Sequence, residues 1–138
     1  MTFNSPVILH VDDEHVTLEL IRLALEEMGG IQLIQCSSGR QAVELAKRHA
    51  PDLFLLDVMM PEIDGLETLQ LLREIPEFEH TPVIFLTAKI MQEEQKTLLQ
   101  SGARAIINKP FDAMTVASNV VSIWSAAFQD RIADLRSG

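Results

Sequence analysis

Two short apolar runs constrain the fold of this chain more than any other feature of its sequence. They are "LFLL", residues 53–56, and "VIFL", residues 83–86, and neither contains a polar side chain. A strand buried on both faces needs such a continuous run, whereas a strand with one exposed face alternates apolar and polar residues. The two runs therefore predict central strands of a sheet that is covered on both sides.

The rest of the chain alternates short apolar segments with longer amphipathic ones. The predicted strands are "PVILHV" (6–11), "IQLIQC" (31–36), the run that leads into Asp57, "PVIFLT" (82–87) and "ARAII" (103–107). A predicted helix follows each strand. Strands joined by helices usually run parallel, with right-handed crossovers and helices on both faces of the sheet. The sequence therefore predicts a single doubly wound α/β domain with a central five-stranded parallel sheet.

Capping residues and glycines mark the ends of the predicted helices. We expect the first helix to face the core with residues at helical spacing: Leu18, Ile21, Leu25 and Met28. It should end at Gly29 and Gly30. Ser38 and Asp64 are predicted N-caps of the second and third helices. A mostly polar fourth helix follows, and a long fifth helix begins near Asp112.

The composition excludes several classes of function. The formal net charge of -9 argues against a nucleic-acid or anionic-membrane surface, because either would need clustered Lys and Arg. The single cysteine, Cys36, excludes an internal disulfide and, with no signal peptide, predicts a cytoplasmic protein. We expect Cys36 to pack rather than react. The longest uncharged run, residues 113–129, contains Ser, Thr, Asn and Gln, so no membrane span is predicted.

Polar side chains follow four of the five predicted strands. Asp12 and Asp13 follow the first strand, Asp57 the third and Thr87 the fourth, and Lys109 comes soon after the fifth. The carboxyl ends of parallel strands lie along one edge of a sheet, where ligands bind. Each residue alone could be a cap, a turn former or a surface lysine. All five at one edge predict a functional site.

The chemistry of this set points to phosphoryl transfer. Three carboxylates repel one another unless a cation or a proton lies among them, and their hard oxygen ligands suit Mg²⁺. Asp57 would then be the nucleophile and would form an aspartyl phosphate. Lys109 and Thr87 would hold the phosphoryl oxygens by charge and hydrogen bond.

Four blocks of sequence resemble, in order and separation, the receiver domain of bacterial two-component response regulators: "ILHVDDE", "PDLFLLDVMMPEIDGLETL", "TPVIFLTA" and "GARAIINKPF". The resemblance covers residues 6–128. It predicts a receiver domain at residues 1–128, with a tail or the start of a linker at 129–138. It implies the flavodoxin-like strand order 2-1-3-4-5 found in chemotaxis regulators. It also implies a phosphoacceptor rather than an enzyme.

The resemblance implies a role for each residue that matches the family pattern. Asp57 matches the phosphoacceptor, which takes its phosphoryl group from a phosphohistidine of a sensor histidine kinase or a histidine phosphotransfer protein. Asp13 and Asp57 match the direct Mg²⁺ ligands, for which Mn²⁺ can substitute, and Asp12 matches an acid that reaches the metal through water. The backbone carbonyl of Met59 matches the remaining protein ligand.

The same resemblance covers the switch residues, with one departure. Thr87 matches the hydroxyl that closes on the phosphoryl group, Lys109 the lysine that pairs with it, and Pro110 a proline often preceded by a cis peptide. Where the family often has Tyr or Phe, this chain has Ile106, which has no ring to turn inward. Either the output passes through backbone shifts after the fourth strand, or the chain is mainly a phosphate relay.

Two further positions of the family pattern affect the lifetime of the acyl phosphate. In the family, the side chains at the positions of Met59 and Lys89 flank the path of the hydrolytic water. Met59 offers that water no strong hydrogen bond, and protonated Lys89 cannot accept one. We therefore expect slower self-dephosphorylation than with an amide at position 59 and a carboxylate at position 89. The alternative is that neither side chain reaches the water.

The last helix carries more apolar residues than one inward face needs. Its stripe is Ala117, Val120, Val121, Trp124 and Phe128, widened by Val116, Ile123 and Ala127. A core-facing stripe needs only about 100° of a helix. The surplus predicts contact with a second copy in a homodimer, a downstream protein target or an output domain. The alternative is a wide core face that the tail covers.

Two rival functions fit less of the pattern. A hydrolase of the haloacid dehalogenase kind also uses Asp and Mg²⁺ on a parallel sheet, but it usually has an acid two residues after the nucleophile, where this chain has Met59. A pseudo-receiver would bind partners without phosphorylation. Because the last predicted helix ends near residue 138, we expect no DNA-binding output domain within these residues. Whether the chain is stand-alone or part of a longer protein stays open.

Overall fold

Five parallel strands alternate with five helices in the computed structural model, which describes residues 6–88 and 90–137, without the side chain of Ser137. The strands are β1 (Val7–Val11), β2 (Gln32–Cys36), β3 (Leu53–Asp57), β4 (Val83–Thr87) and β5 (Ala105–Asn108). The helices are α1 (His15–Ile21), continued by a π-helical segment (Arg22–Met28), then α2 (Gly39–His49), α3 (Gly65–Arg73), α4 (Gln92–Gln100) and α5 (Ala113–Ser137). A short 3₁₀ turn (Pro76–Phe78) follows α3. The predicted element order is confirmed.

The strand order in the sheet is β2-β1-β3-β4-β5, and all pairs are parallel. Every residue of β3 and β4 is buried, as their continuous apolar runs predict. The register places Val11 opposite Leu56 and Asp57 opposite Leu86. The carboxyl ends of the strands therefore lie side by side along one edge of the sheet, here called the carboxyl edge. The predicted doubly wound fold of order 2-1-3-4-5 is confirmed.

Each face of the sheet has its own apolar core. On one face, β-strand residues such as Leu9, Phe54 and Phe85 pack under α2, α3 and α4. On the other face, residues such as Ile8 and Leu55 pack under α1, the π-helical segment and α5. Alternation of side chains along each strand separates the two sets. His10, Asp12 and Asp57 therefore belong, by alternation, to the face covered by α1 and α5.

Side-chain caps begin two of the helices where the sequence predicts them. The Ser38 hydroxyl accepts a hydrogen bond from the backbone N–H of Gln41, at 3.2 Å. Asp64 and Glu67 form a capping box, in which each side chain accepts from the backbone N–H of the other, at 2.9 and 3.0 Å. Both predicted caps are confirmed. The Asp64 box fixes the start of α3 at the end of the loop that follows Asp57.

The prediction that Met28 faces the core is wrong, because the helix after β1 changes its pitch. From Arg22 onward it is π-helical, with i→i+5 hydrogen bonding and more residues per turn than an α-helix. Leu25 is buried as predicted, together with Ala24, but the wider turn carries Met28 away from the inward face and leaves it 49% exposed. The helix still ends at Gly29, and Gly30 has a left-handed φ of 64°.

The apolar stripe of α5 is only partly used by the core. Val116 and Val120 are buried, and Val121 and Trp124 pack against the core on the α1 side of the sheet, but Phe128 is 51% exposed. The helix is continuous across the predicted domain boundary between residues 128 and 129, which stays a prediction. None of the helices in the described residues combines the length and apolar character that a membrane crossing needs.

The outer part of this stripe lines a groove at the opposite, amino edge of the sheet. The rings of Trp124 and Phe128 stack with their centroids 5.4 Å apart. Together with Pro51 and Pro82, which precede β3 and β4, they line a groove of about 540 Å³. The groove is therefore separated from the carboxyl edge by the length of the strands.

Gly65, the first residue of α3, provides a test of how tightly the loop after β3 is packed. A Cβ atom at this position would overlap the Asp57 carbonyl oxygen and would lie 2.9 Å from the Val58 Cα. These are backbone atoms, which cannot turn away as a side chain would. Gly65→Ala should therefore lower the free energy of unfolding in urea by roughly 1–3 kcal/mol. Gln70→Ala, at an exposed position of the same helix, should change it by less than about 0.5 kcal/mol. Equal stability of the two variants would contradict this packing.

Candidate functional site

The structure brings the predicted site residues together at the carboxyl edge. Asp12 and Asp13 directly follow β1, Asp57 ends β3 and Thr87 ends β4. Lys109 follows β5, and its backbone N–H donates to the Thr87 carbonyl at 2.6 Å. These residues lie at the carboxyl ends of four neighbouring strands, so the strand order that the resemblance implies is also what assembles the site.

Asp12, Asp13 and Asp57 form an acidic cluster. One carboxylate oxygen from each lies within 4.8 Å of those of the other two. Asp12 is fully buried and Asp57 is 3% exposed, whereas Asp13 is exposed. The cluster thus opens to solvent on the side of Asp13. Three oxygen donors of this kind, with an open side left for water, fit a hard divalent cation.

The Lys109 ammonium group brings a positive charge to the site. Its Nζ lies 3.1 Å from Asp12 Oδ2, 3.5 Å from Asp57 Oδ1 and 2.6 Å from Glu14 Oε1. Burial acts to lower the pKa of Lys109, but the contacts with Glu14 and Asp12 outweigh it and raise the pKa. Lys109 therefore stays charged, and its closest carboxylate in the structure is that of Glu14.

The environment of Asp57 disfavours the charged form of its carboxyl group. Burial, which is the largest cause, the charge of Asp12 and the contact with Asp13 together raise its pKa to about 7, although the charge of Lys109 opposes the rise. By contrast, burial acts to raise the pKa of Asp12, but its contacts with His10, the Glu14 backbone N–H and Lys109 outweigh burial and lower the pKa. Asp57 therefore needs a further positive charge nearby to stay ionised at neutral pH, whereas Asp12 does not.

The Thr87 hydroxyl is buried without a hydrogen-bond partner in the part of the chain that the structure describes. An unpaired buried hydroxyl costs about 1–3 kcal/mol. A group that bound between Lys109 and Thr87 could accept this missing hydrogen bond. This observation, with the oxygen donors of the acidic cluster, shows that the residues present fit both a divalent cation and an anionic group.

Two polar residues at this edge are assigned no role by the sequence alone. Glu14 continues the acidic run after Asp12 and Asp13, but its contact with Lys109 joins positions 95 residues apart. His10 is fully buried, with its Nε2 3.6 Å from Asp12 Oδ2. Its sequence signal is a polar residue inside an apolar strand, two positions before Asp12 and hence on the same face of β1.

The remaining predicted residues lie around this centre. The side chain of Met59 is 71% exposed, and Ile106 is half-buried against the core under α4. The Lys109–Pro110 peptide is cis, as the resemblance implies. Lys89 lies outside the described residues. Cys36 is half-buried, and burial raises its pKa to about 11, which agrees with the expectation that it packs rather than reacts.

Known proteins resemble this chain in sequence and in structure. The family model of the response regulator receiver domain matches residues 8–120. The polar-differentiation response regulator DivK of Brucella ovis is 38% identical over 103 residues, which are 75% of this chain and 83% of DivK.

Two solved structures extend the likeness to the fold. The Francisella response regulator 1452 receiver domain has a TM-score of 0.77 and 30% identity, over 88% of this chain and 98% of that one. The chemotaxis protein CheY4 of Vibrio cholerae has a TM-score of 0.79 and 25% identity, over 84% and 96%. The chain belongs to the family of response regulator receiver domains, which are phosphoacceptors of two-component signalling rather than classical enzymes.

Proposed function

We propose that Asp57 accepts a phosphoryl group, in a Mg²⁺-dependent reaction, from a phosphohistidine of a sensor histidine kinase or a histidine phosphotransfer protein in the cytoplasm. The observation that carries the proposal is the position of the Asp57 carboxylate. It lies beside two further carboxylates and 3.5 Å from the Lys109 ammonium group, at the end of the central strand. Phosphorylation would then alter the surface that the domain presents to a downstream protein or an output domain.

The chemistry assigns each side chain one task. An Asp57 carboxylate oxygen attacks the phosphorus atom, a P–O bond forms and the P–N bond to the donor imidazole breaks, with its electron pair left on the imidazole nitrogen. Lys109 pairs with the phosphoryl oxygens by charge, and Thr87 Oγ1 donates its unused hydrogen bond to one of them. Lys109 must give up part of its contact with Glu14 to do so.

The acidic cluster and a backbone carbonyl would hold the metal. Asp13 and Asp57 are proposed as direct ligands, together with the Met59 carbonyl, and Asp12 through water. Mg²⁺, for which Mn²⁺ can substitute, would supply positive charge beside Asp57. Since an anionic nucleophile is required and the pKa of Asp57 is raised to about 7, this charge would keep the carboxyl group ionised at neutral pH.

An exposed apolar strip beside the site supports a protein as the phosphoryl donor. Val16, Leu20 and Leu23 recur at helical spacing along α1 and the π-helical segment, and all three are exposed. Since α1 begins two residues after Asp13, the strip starts next to the acidic cluster. An apolar strip of this kind fits a helix of a partner protein.

We propose that the effect of phosphorylation reaches a partner through the helices on the same side of the domain as Lys109. Ile106 has no ring to move with Thr87, so the change would pass through the backbone after β4, or the chain would act mainly as a phosphate relay. We propose residues 1–128 as the receiver domain and 129–138 as its tail. The exposed part of the α5 stripe, which includes Phe128, supports a contact with a second copy or another domain.

The first test is the intact mass of the chain after incubation with acetyl phosphate and Mg²⁺. One phosphoryl group per chain should appear, it should be labile to base, and it should be lost in Asp57→Asn and after chelation of Mg²⁺. Asp52→Asn, which changes an exposed carboxylate at the amino edge, should be modified like the wild type. A wild-type chain that stays unmodified would favour a pseudo-receiver that binds partners without phosphorylation.

The second test uses the pKa of Asp57. Its folded value of about 7 lies above the ordinary 3.8, so without divalent cations the stabilising effect of protonation is lost as the pH rises towards 7. Asp57→Asn lacks this dependence and should exceed the wild type in free energy of unfolding by roughly 1–3 kcal/mol above neutral pH. Mg²⁺ should raise the stability of the wild type and hardly affect that of Asp57→Asn.

Urea unfolding across the pH range, with and without Mg²⁺, measures both effects. Asp130→Asn is the matched control, because this exposed carboxylate pairs with Arg104 and is remote from the acidic cluster. It should keep the wild-type response to pH and Mg²⁺. In the absence of metal, raising the pH should lower the stability of the wild type relative to that of Asp57→Asn. If it raises that stability instead, the charge of Asp57 does not destabilise the fold and the prediction is wrong.

The third test concerns the lifetime of the aspartyl phosphate. The double variant Met59→Asn and Lys89→Glu should release phosphate about tenfold faster, because its amide and carboxylate can hold the hydrolytic water. A phosphate-release time course after removal of the phosphoryl donor measures the rate. Met28→Asn, a half-exposed methionine at the far end of the π-helical segment, is the control and should leave the rate unchanged. Unchanged or slower release in the double variant would rule out this role.

A further inference from the structure

His10 is a fully buried polar side chain whose place in the fold the proposed phosphoryl transfer does not explain. It lies in β1, two residues before Asp12 and on the same face of the strand. The residue opposite it on β2 is Gln35. The two ring nitrogens of His10 face different polar groups: Nδ1 faces the Gln35 amide at 3.0 Å, and Nε2 faces Asp12 Oδ2 at 3.6 Å.

A backbone carbonyl determines which nitrogen of His10 carries the proton. Gln35 Nε2 donates one hydrogen bond to the Leu18 carbonyl oxygen, at 2.8 Å. Because a carbonyl oxygen only accepts, the amide group at this position must be the NH₂. Its second hydrogen then points to His10 Nδ1, which must accept. The proton of the neutral ring is therefore on Nε2.

The Nε2–H of His10 is thus directed at the Asp12 carboxylate. At 3.6 Å the contact is too long for a hydrogen bond, and Nε2 has no other hydrogen-bond partner in the described part of the chain. The other carboxylate oxygen, Oδ1, accepts from the Glu14 backbone N–H at 3.0 Å. The His10 donor therefore faces the same oxygen, Oδ2, that Lys109 Nζ approaches to 3.1 Å.

This arrangement is costly if His10 only fills space. A buried donor without a partner costs about 1–3 kcal/mol, and a leucine of similar size at this position would avoid that cost. Two further neighbours of His10 on the same face of the sheet, Ile8 and Leu55, are apolar. The cost is offset if Asp12 moves towards His10 when the acidic cluster is filled, since the contact then shortens to a charge-assisted hydrogen bond.

We propose that His10 is a positioning residue for Asp12, with its proton held on Nε2 by Gln35, and that it increases the affinity of the acidic cluster for divalent cations. The inference rests on the metal site of the proposed function. Without the His10 donor, the polar group described above that remains beside Asp12 Oδ2 is the Lys109 ammonium group. The Asp12 carboxylate then turns towards Lys109. A metal that uses Asp12 would then have to compete with Lys109 for it.

The test compares Mn²⁺ binding, by isothermal titration calorimetry at neutral pH, in the full chain and its variants. His10→Leu removes the donor at nearly constant volume and should weaken Mn²⁺ binding about tenfold. His10→Gln can return an N–H to the position of Nε2 and should restore most of the affinity. Ile8→Val is the matched control: it lies on the same strand and face, loses stability through packing alone and should bind like the wild type.

The tautomer is tested in the wild type, without any substitution. Nitrogen NMR of the imidazole groups at neutral pH should show one buried histidine whose ring is neutral and protonated on Nε2. Protonation on Nδ1 overturns the proposal, as does unchanged Mn²⁺ affinity in His10→Leu. If His10→Leu does not fold, Gln35→Leu replaces it and should also bind Mn²⁺ more weakly, with wild-type affinity again counting against the proposal.

These outcomes separate the inference from the function on which it rests. A wild type that binds no Mn²⁺ rejects the metal site itself, and the positioning role with it. A wild type that binds Mn²⁺ and is phosphorylated, beside a His10→Leu variant that binds equally well, rejects only the role of His10.

Discussion

Repulsion among three carboxylates held within 4.8 Å at one edge of a parallel sheet is the constraint around which this site is built. The fold leaves this repulsion in place, and the three carboxyl groups do not share its effect equally. Asp12 receives hydrogen-bond donors and keeps a low pKa, whereas burial and its acidic neighbours raise the pKa of Asp57 to about 7. Lys109, 3.5 Å from Asp57, opposes this rise without cancelling it, and its closest carboxylate is that of Glu14. A cation bound among the three carboxylates would relieve the remaining repulsion.

The sheet positions these charges through its backbone rather than through side-chain contacts. Val11 and Leu56 are paired in register, which sets Asp12 and Asp57 at the same height, and the Lys109 backbone is bonded to that of Thr87. A slip of one residue in β3 would turn Asp57 to the other face, under the α2 and α3 helices. The buried run before Asp57 prevents such a slip, since all five residues of β3 are fixed by packing on both sides.

The sequence predicts the fold, and the meeting of the five polar residues at one edge of the sheet, because both depend on local signals. Continuous apolar runs identify buried strands, and polar residues at strand ends must meet when the strands are parallel. The contacts that escaped prediction join distant positions: Lys109 with Glu14 across 95 residues, and Gln35 with His10 across 25. Met28 was misplaced for another reason. A periodicity of 3.6 residues assumes an α-helix throughout, and the π-helical segment departs from it without an evident signal in the sequence.

The position of the single tryptophan has a practical consequence. Trp124 stacks on Phe128 beside the prolines at the amino edge, while the acidic cluster lies at the carboxyl edge, about 15 Å away along the five residues of β3. Its fluorescence is therefore insensitive to direct quenching by an ion or a phosphoryl group bound beside Asp57. Any change in its emission on phosphorylation would report a rearrangement carried through the body of the domain, so that the chain contains its own optical probe of long-range response.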